Sequence, residues 1–311
     1  MRQNKFHTIF VMLVGVAIIT TLIPMASVAD ESRVHTSMAP ISLADIVRQG
    51  NLRAPNLKSS SALVIDEGEG VTLYQQNIDE QRPIASVTKL MTAMVTLDAG
   101  LPLDERIRIT REDRDRLRGS ASRLAFGTVL TRHDVLRSAL AASDNRAAAA
   151  LARTYPGGAN AMLHAMNDKA RQLGMKSTRY MDASGLDSGN VSTARDLALL
   201  VSAAGKHPLI KSMTTSGKFS ITNQSTGRPI TLTNSNRLVR SSAWDIRLSK
   251  TGYTSDAGNC LVMKTVIGSR PVTIVLLNSW GKLSKYGDSQ RIREWLIKVE
   301  RKARKYSRAS A

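Results

Sequence analysis

The chain has 311 residues, of which 42% are hydrophobic, with 44 Lys plus Arg, 25 Asp plus Glu and one Cys. This is the composition of an ordinary globular protein, so a disordered chain is not expected. A single Cys excludes any internal disulfide. The formal net charge of +19 predicts attraction to polyanions, which include nucleic acid, anionic cell wall and lipid surfaces.

The first predicted element is a signal peptide over residues 1–29. Arg2 and Lys5 precede an apolar run over residues 9–19, and Ser27-Val28-Ala29 supplies the small residues that a signal peptidase recognises. The strictly apolar run is shorter than the roughly 20 residues of a membrane-spanning helix, so cleavage is favoured over an uncleaved anchor. The protein is therefore expected in the periplasm.

Export makes nucleic acid a less suitable partner than cell wall or a lipid surface. The few aromatic residues form no base-stacking pattern, so we expect no nucleic-acid partner, and an electrostatic contact with anionic wall or membrane surface fits better. The stretch 282–311 is strongly basic, with three acidic residues against ten basic ones, namely Lys282, Lys285, Arg291, Arg293, Lys298, Arg301, Lys302, Arg304, Lys305 and Arg308.

A polar leader and a hairpin come next. Residues 30–58 are predicted to be a flexible leader with one short helix around residues 42–49. Two β-prone runs follow at residues 62–65 and 71–74, and the segment Asp66-Glu67-Gly68-Glu69-Gly70 between them is typical of a hairpin turn.

The pattern becomes helical after Pro83. Apolar residues recur there at three- and four-residue spacing, at Val87, Leu90, Met91, Met94, Val95 and Leu97. Ser86 therefore falls at the start of a predicted helix. Residues 101 to about 240 are predicted to be mainly helical, with some extended structure between residues 219 and 232.

Strand signals return near the C-terminus, at residues 245–251, 260–267 and 272–278. Short connections imply antiparallel neighbours, and the opening hairpin can complete the same sheet. An amphipathic helix over residues 288–304 follows, with an apolar stripe predicted to pack against the sheet at Ile292, Trp295, Leu296 and Val299. Cys260 is predicted to be a small buried hydrophobe.

The predicted fold is α+β, a five-stranded antiparallel sheet flanked by helices with an all-helical lobe inserted between the second and third strands. We expect no internal repeat. The proposed divisions are a signal peptide at 1–29, a leader at 30–58, one catalytic domain at 59–304 with the helical lobe at about 101–240, and a basic tail at 305–311.

The first chemical motif pairs Ser86 with Lys89. The two residues stand three apart and share a helix face, and a buried lysine can take a proton from a hydroxyl beside it if burial lowers its pKa. The same spacing occurs at Ser279-Trp280-Gly281-Lys282. That copy ends a predicted strand and opens no helix, so we interpret it as a solvated turn.

Two further motifs lie on predicted elements. Ser143-Asp144-Asn145 follows an apolar helix, and Lys250-Thr251-Gly252 ends a predicted strand. A helix cap, a turn or an exposed strand end explains each triplet equally well by itself. Ser188-Gly189-Asn190, which partly imitates the second motif, is better explained as a turn. The ordered occurrence of all three motifs indicates a common site.

Together these motifs resemble the serine D,D-peptidases and serine β-lactamases, whose signatures are Ser-x-x-Lys, Ser-x-Asn and Lys-Thr-Gly. The resemblance extends from about residue 61 to residue 278. Several runs look like the low-molecular-mass D-alanyl-D-alanine endopeptidases of the penicillin-binding proteins in particular, namely residues 82–94, 101–105, 145–149 and 250–254.

The resemblance implies hydrolysis of D-Ala-diamino acid crosslinks of peptidoglycan through an acyl-enzyme on Ser86, and inhibition by penicillin. Lys89 would act as the base on Ser86, Ser143 would relay a proton to the leaving amine, and Asn145 would orient the substrate amide. Substrate-binding roles would fall to Lys250 through its charge, to Thr251 as a carboxylate ligand, to the neighbouring Gly252, and to the backbone N–H of Tyr253, which with that of Ser86 would form the oxyanion hole.

No metal or cofactor is implied, and the histidines show no ligand spacing. Three alternatives stay open: a D-alanyl-D-alanine carboxypeptidase, a serine β-lactamase and an inactive wall-binding protein. A class A β-lactamase would need a glutamate after the second motif, yet Glu112 and Glu294 are consecutive glutamates, and Asp182 and Asp187 lie in a loop interpreted as structural. The roughly 30 residues after Asn278 are too few for the extra β-domain and anchor of many carboxypeptidases, which favours the endopeptidase.

Overall fold

The computed structural model describes residues 43–49 and 52–309, with side chains over 45–48 and 52–306. The predicted signal peptide at 1–29 and the end of the predicted tail lie outside these residues. Within the described part of the chain, no helix combines the length and apolar character needed to cross a membrane.

Eleven strands and eight α-helices make up the described chain. The strands are β1 (Ser59–Asp66), β2 (Val71–Gln76), β3 (Arg82–Pro83), β4 (Arg106–Arg108), β5 (Val129–Thr131), β6 (Val191–Ser192), β7 (Lys218–Thr222), β8 (Pro229–Thr233), β9 (Asp245–Thr254), β10 (Gly258–Ile267) and β11 (Arg270–Ser279). The helices are α1 (Leu43–Gln49), α2 (Lys89–Asp98), α3 (Arg132–Leu140), α4 (Asn145–Arg153), α5 (Gly158–Gln172), α6 (Ala194–Ala204), α7 (Pro208–Thr215) and α8 (Ser284–Ala309).

The predicted five-stranded antiparallel sheet is confirmed. Its strand order is β2-β1-β11-β10-β9, with every neighbouring pair antiparallel. The neighbouring strands β1 and β11 pair Leu63 with Val275 and Val64 with Ile274. Since successive side chains point to opposite faces, Leu63 joins the core on the side of the inserted helices, whereas Val64 joins the core on the side of the terminal helices.

The terminal helices cover one face of the sheet. The predicted apolar stripe of α8 packs there, with Ile292, Trp295, Leu296 and Val299 all buried in one cluster. Ile46 of α1 is buried in the same cluster, so part of the predicted leader contributes to the core. The Asp288 carboxylate accepts hydrogen bonds from the backbone N–H of Ser59 at 2.8 Å and of Lys58 at 2.9 Å, which joins the start of α8 to the start of β1.

The segment between β2 and β9 packs on the other face and contains six α-helices, α2 to α7, but the prediction of an all-helical lobe is wrong. It also contains three two-stranded sheets, β3 with β6, β4 with β5, and β7 with β8. The β7–β8 hairpin accounts for the extended structure predicted between residues 219 and 232. The other two pairs have strands of two or three residues, which is too short for a period-two pattern to be recognised in the sequence.

Helix α2 occupies the centre of the molecule. Eight consecutive residues of this helix, from Lys89 to Thr96, are buried. A helix buried on every side must be surrounded by other elements, and α2 contacts α3, α4, α5, α6 and α7. This burial places the N-terminal end of α2, where the predicted nucleophile lies, between the sheet and the helical lobe.

Candidate active site

Ser86 lies in a 3₁₀ turn, Ala85–Thr88, directly before α2. Ala85 has a φ of 47°, a left-handed conformation that is uncommon for a residue with a side chain. The turn is held against two glycines. A Cβ atom on Gly185 would overlap the carbonyl oxygen of Ala85, and a Cβ atom on Gly252 would lie 2.9 Å from the carbonyl oxygen of Ile84. Glycine at both positions therefore allows the backbones to meet around the half-buried serine.

Lys89 is the centre of the hydrogen-bond network. Its buried Nζ atom lies 2.7 Å from Ser86 Oγ, 2.6 Å from Asn145 Oδ1 and 2.7 Å from the carbonyl oxygen of Ser184. An ammonium donates in all three directions. A neutral amine has two N–H donors and one lone pair, so it keeps all three contacts if its lone pair accepts a hydrogen bond from the Ser86 hydroxyl. The same geometry therefore suits both protonation states.

Burial sets the protonation of Lys89. It lowers the pKa of the Lys89 amine to about 8, although Asp182, Asp144 and Asp115 favour the charged form and oppose the shift. A pKa this close to neutrality leaves an appreciable fraction of neutral amine, which is the state of a general base. Both the short contact with Ser86 and the lowered pKa of Lys89 therefore support proton transfer from Ser86 to Lys89.

The second motif forms a sharp connection between α3 and α4. Ser143 has a φ of 60°, and the Asp144 side chain caps α4 by accepting a hydrogen bond of 2.9 Å from the Ala147 N–H. Asn145 then begins α4. Its Nδ2 donates to Ser120 Oγ at 2.8 Å, which turns the Oδ1 atom toward Lys89. The strained serine and the cap together fix both polar side chains.

The third motif lies on β9, at the edge of the sheet. Buried Lys250 donates from Nζ to Ser143 Oγ at 2.7 Å and to the carbonyl oxygen of Thr251 at 3.0 Å. Burial lowers the pKa of Lys250 well below its usual value, and the nearby charges of Lys89 and Lys285 lower it further. Each of the two motif lysines therefore contacts one motif serine.

The remaining motif residues follow along β9. Thr251 donates from Oγ1 to Ser235 Oγ at 2.8 Å, and Gly252 approaches the backbone nitrogen of Ser86. Tyr253 comes next on the strand. Its side chain is 66% exposed, so the strand fixes the position of its backbone and leaves the side chain in solvent. The structure thus brings Ser86, Lys89, Ser143, Asn145, Lys250, Thr251 and Gly252 into one contiguous site, with Tyr253 at its rim.

Sequence reasoning did not identify the loop that completes the Lys89 environment. Asp182 accepts hydrogen bonds from the backbone N–H groups of Ser184, Gly185 and Leu186, and from the Asn190 amide. Asn190 also donates to Thr88 Oγ1 at 3.0 Å. These bonds hold the Ser184 carbonyl against Lys89. The Asp-Ala-Ser-Gly sequence indicates a tight turn, but nothing in it indicates which residue the turn contacts.

Ser120 and Ser235 were also missed, since an isolated serine carries no sequence signal. No group of three or more His, Cys, Asp or Glu residues able to hold a metal ion occurs in the chain over 43–49 and 52–309. Cys260 is buried, as predicted. Burial raises the pKa of its thiol to about 11, which keeps it protonated and unreactive.

Comparison with known proteins gives the same family by three routes. The family model described as D-alanyl-D-alanine carboxypeptidase matches residues 48–281. A D-alanyl-D-alanine endopeptidase of Pseudomonas aeruginosa is 47% identical over 77% of this chain and 77% of its own, and one of Escherichia coli is 42% identical over 83% of each. The crystal structure of the Streptomyces K15 DD-transpeptidase has a TM-score of 0.72 and 26% identity, over 78% of this chain and 98% of that chain.

Proposed function

We propose a function from one premise: the chain belongs to the family of serine D-alanyl-D-alanine peptidases whose model it matches. Within this family we assign it as an endopeptidase, because it matches relatives with that name over about four-fifths of their length. Its substrate is the amide between a D-Ala carbonyl and the side-chain amine of a diamino acid, which crosslinks two stem peptides of peptidoglycan. The single observation that carries the mechanism is the 2.7 Å contact between Lys89 Nζ and Ser86 Oγ.

Acylation begins when neutral Lys89 takes the hydroxyl proton of Ser86. The Ser86 oxygen then attacks the D-Ala carbonyl carbon, and the carbonyl oxygen gains negative charge. The backbone N–H groups of Ser86 and Tyr253 stabilise that charge. The close approach of Gly252 to the Ser86 nitrogen, and the position of β9 at the sheet edge, support this assignment.

Collapse of the tetrahedral intermediate requires a proton on the leaving nitrogen. Ser143 passes its hydroxyl proton to that nitrogen and takes a replacement from Lys250, whose amine donates to it at 2.7 Å. The proton that Lys89 took from Ser86 returns to Lys250 through solvent, which leaves Lys89 neutral again. A bound substrate carboxylate favours the protonated form of Lys250 and so opposes the lowering of its pKa, which lets Lys250 supply positive charge in the complex. Thr251 binds the carboxylate on the leaving side, and Asn145 orients the amide of the acyl group. Water then attacks the ester on Ser86, with Lys89 again acting as base, and releases the shortened peptide.

Penicillin acylates the same Ser86 and leaves slowly. A rapid β-lactamase needs a carboxylate placed to activate water against the ester. No glutamate lies between Glu112 and Glu294. The Asp182 carboxylate is occupied by the N–H groups of its own loop, and Asp187 accepts the Gly189 N–H at 2.7 Å. The β-lactam therefore acts as an inhibitor.

The second candidate is a carboxypeptidase, and the description of the matching family model favours it. Digestion of crosslinked muropeptide dimers by wild-type protein and by Ser86→Ala separates the possibilities. Loss of dimers with the wild type alone supports the endopeptidase. Dimers that survive with trimmed termini indicate a carboxypeptidase, and no change in either substrate indicates an inactive wall-binding protein.

The same proposal places the protein in the periplasm, after removal of residues 1–29, which lie outside the described residues. The basic end of α8 contacts an anionic wall or membrane surface there. Its exposed Arg301, Arg304 and Lys305 support this assignment. Sedimentation with vesicles of anionic phospholipid tests it: binding lost between 0.05 and 0.5 M salt is expected for ~3 surface charges, and salt-insensitive or absent binding contradicts it.

A further inference from the structure

A second cleft opens next to the catalytic strand β9, and apart from the backbone of Tyr253 its lining takes part in none of the steps above. It encloses about 810 Å³, which is within the size range of roughly 300–1,000 Å³ typical of sites for small molecules and peptides. Three large side chains at this cleft are exposed: Trp280 by 82%, Tyr253 by 66% and Leu283 by 57%. Exposed apolar side chains grouped at a cleft commonly mark a binding surface.

The cleft is continuous with the active site. Tyr253 follows Lys250-Thr251-Gly252 directly on β9. On the other side, the Tyr286 hydroxyl donates to the carbonyl oxygen of Ser235 at 3.3 Å, and the Ser235 hydroxyl accepts from Thr251 at 2.8 Å. Two hydrogen bonds through Ser235 therefore connect Tyr286, on the wall of the cleft, with the proposed carboxylate ligand Thr251. In the proposed reaction Thr251 is on the side of the leaving group.

The turn that carries Trp280 is held in place. The backbone N–H of Trp280 donates to the carbonyl oxygen of Lys58 at 3.2 Å. The carbonyl oxygen of Gly281 accepts from Asn259 Nδ2 at 3.0 Å and from the backbone N–H of Ser284 at 3.2 Å. These residues form the second Ser-x-x-Lys copy, Ser279-Trp280-Gly281-Lys282. The turn therefore holds the Trp280 indole in solvent, although burial of apolar surface would favour an indole inside the protein.

The charge of the cleft is positive. Arg237, Lys282 and Lys285 line it, and none of the residues that line it is acidic. Buried Lys285 donates from Nζ to Asn259 Oδ1 at 3.2 Å. An anionic and partly apolar ligand therefore complements the cleft better than a neutral one.

We propose that this cleft binds the leaving strand of a crosslinked peptide, with Trp280 packing against the strand and Lys282 pairing with its carboxylates. The inference rests on the proposed endopeptidase function. The leaving group of that reaction is a whole stem peptide with free carboxylates, which suits a large basic cleft. The leaving group of a carboxypeptidase is a single D-alanine, which would be held at Thr251 and fill little of the cleft.

Kinetics with two reagents test this assignment. Trp280→Ala and Lys282→Ala are compared with wild type on a crosslinked muropeptide dimer and on penicillin, which has no leaving strand. For Trp280→Ala we expect kcat/KM on the dimer to fall about tenfold, mainly through a higher KM, with the acylation rate by penicillin unchanged. Trp280→Phe should restore most of the loss, and Leu199→Ala, which removes an exposed leucine on α6, should change neither rate. Equal losses on both reagents, or no loss on either, would overturn the inference.

A binding measurement separates this inference from the proposed function. The Ser86→Ala protein is titrated with a tripeptide that ends in diaminopimelic acid, with tryptophan fluorescence as the readout and Ser86→Ala/Trp280→Phe as the control. If dimers are not cleaved by the wild type but the tripeptide changes Trp280 fluorescence, the endopeptidase assignment fails and the peptide cleft stands. If dimers are cleaved but replacing Trp280 changes neither KM nor tripeptide binding, the endopeptidase assignment stands and the peptide cleft fails. Displacement of the tripeptide by peptide-free glycan would assign Trp280 to sugar and overturn the proposal.

Discussion

The Nζ atom of Lys250 lies 2.7 Å from the Oγ atom of Ser143, although 107 residues separate them in the chain. Lys250 belongs to the edge strand of the sheet, and Ser143 belongs to the connection between two helices of the inserted lobe. This bond therefore joins the sheet directly to the inserted lobe at the active site. It makes the relative position of sheet and lobe a condition of catalysis.

The charge requirement of residue 89 gives the first prediction. Lys89→Arg keeps a cation but removes the ability to become neutral, because a guanidinium stays protonated. We expect kcat/KM on muropeptide dimers and acylation by penicillin to fall at least ~10³-fold. Circular dichroism and thermal unfolding serve as controls for folding. A folded Lys89→Arg protein with acylation within tenfold of wild type would rule out the amine as base.

The second prediction concerns Ser143. It distinguishes a role in breaking the bond to the leaving group from a role in the attack by Ser86. An amine leaving group needs a proton, whereas an ester leaving group needs it much less. Ser143→Ala should therefore slow cleavage of an amide substrate by about 10²-fold or more and slow that of the matching depsipeptide much less. Steady-state kinetics on the two substrates measure the ratio. An equal effect on both would mean that Ser143 positions substrate and carries no proton.

The close packing behind the nucleophile gives a third prediction. Gly185 and Gly227 both have positive φ, 81° and 68°, so alanine is strained at either by roughly 1–2 kcal/mol. Only at Gly185 would the new Cβ atom also overlap the Ala85 carbonyl, because nothing lies within 4 Å at Gly227. Gly185→Ala should abolish acylation or prevent folding, whereas Gly227→Ala should lower the melting temperature by a few degrees and keep activity. Similar behaviour of the two variants would contradict the packing argument.

A fourth prediction concerns Arg118, which connects three segments around the site. It donates to the Leu186 carbonyl at 2.7 Å and to Ser255 Oγ at 3.1 Å, and it pairs with Asp256. The pair is partly exposed, so its own contribution to the free energy of unfolding is small, at ~1 kcal/mol or less. Because Leu186 follows the loop that contacts Lys89, Arg118→Ala should nevertheless reduce acylation by about tenfold.

Asp256→Ala removes one of the three contacts and provides the matched control for Arg118. It should lower the acylation rate by less than Arg118→Ala, and the double variant should resemble Arg118→Ala alone, because the two residues share one interaction. Penicillin acylation rates of the three proteins test this. Fully additive losses would show that Arg118 and Asp256 act separately.

Much of the fold follows from the sequence, because long elements repeat their pattern. The run 62–65 is continuously apolar, as expected of a strand buried on both faces, and the stripe from Ile292 to Val299 has helical spacing. Strand β4 was not recognised because Ile107 is its single buried residue. The motifs indicated which side chains meet, because serine, lysine and asparagine carry distinctive chemistry.

The partners of those side chains could not be predicted. Ser184 contacts Lys89 through a backbone carbonyl, which every residue has. Ser120 orients Asn145 from a loop without regular structure, and only tertiary packing brings the two together. The exposed position of Trp280 likewise depends on how its turn meets Lys58, which lies at the far end of the chain.

The pH dependence of acylation tests the central claim, that a neutral Lys89 removes the Ser86 proton. The second-order rate constant for penicillin should rise as Lys89 loses its proton, through its pKa of about 8, and level off above that pH. Intact-protein mass spectrometry measures the rate, with Ser86→Ala as the variant that forms no adduct. A rate that stays constant between pH 6 and 10, or falls as Lys89 becomes neutral, would contradict the account.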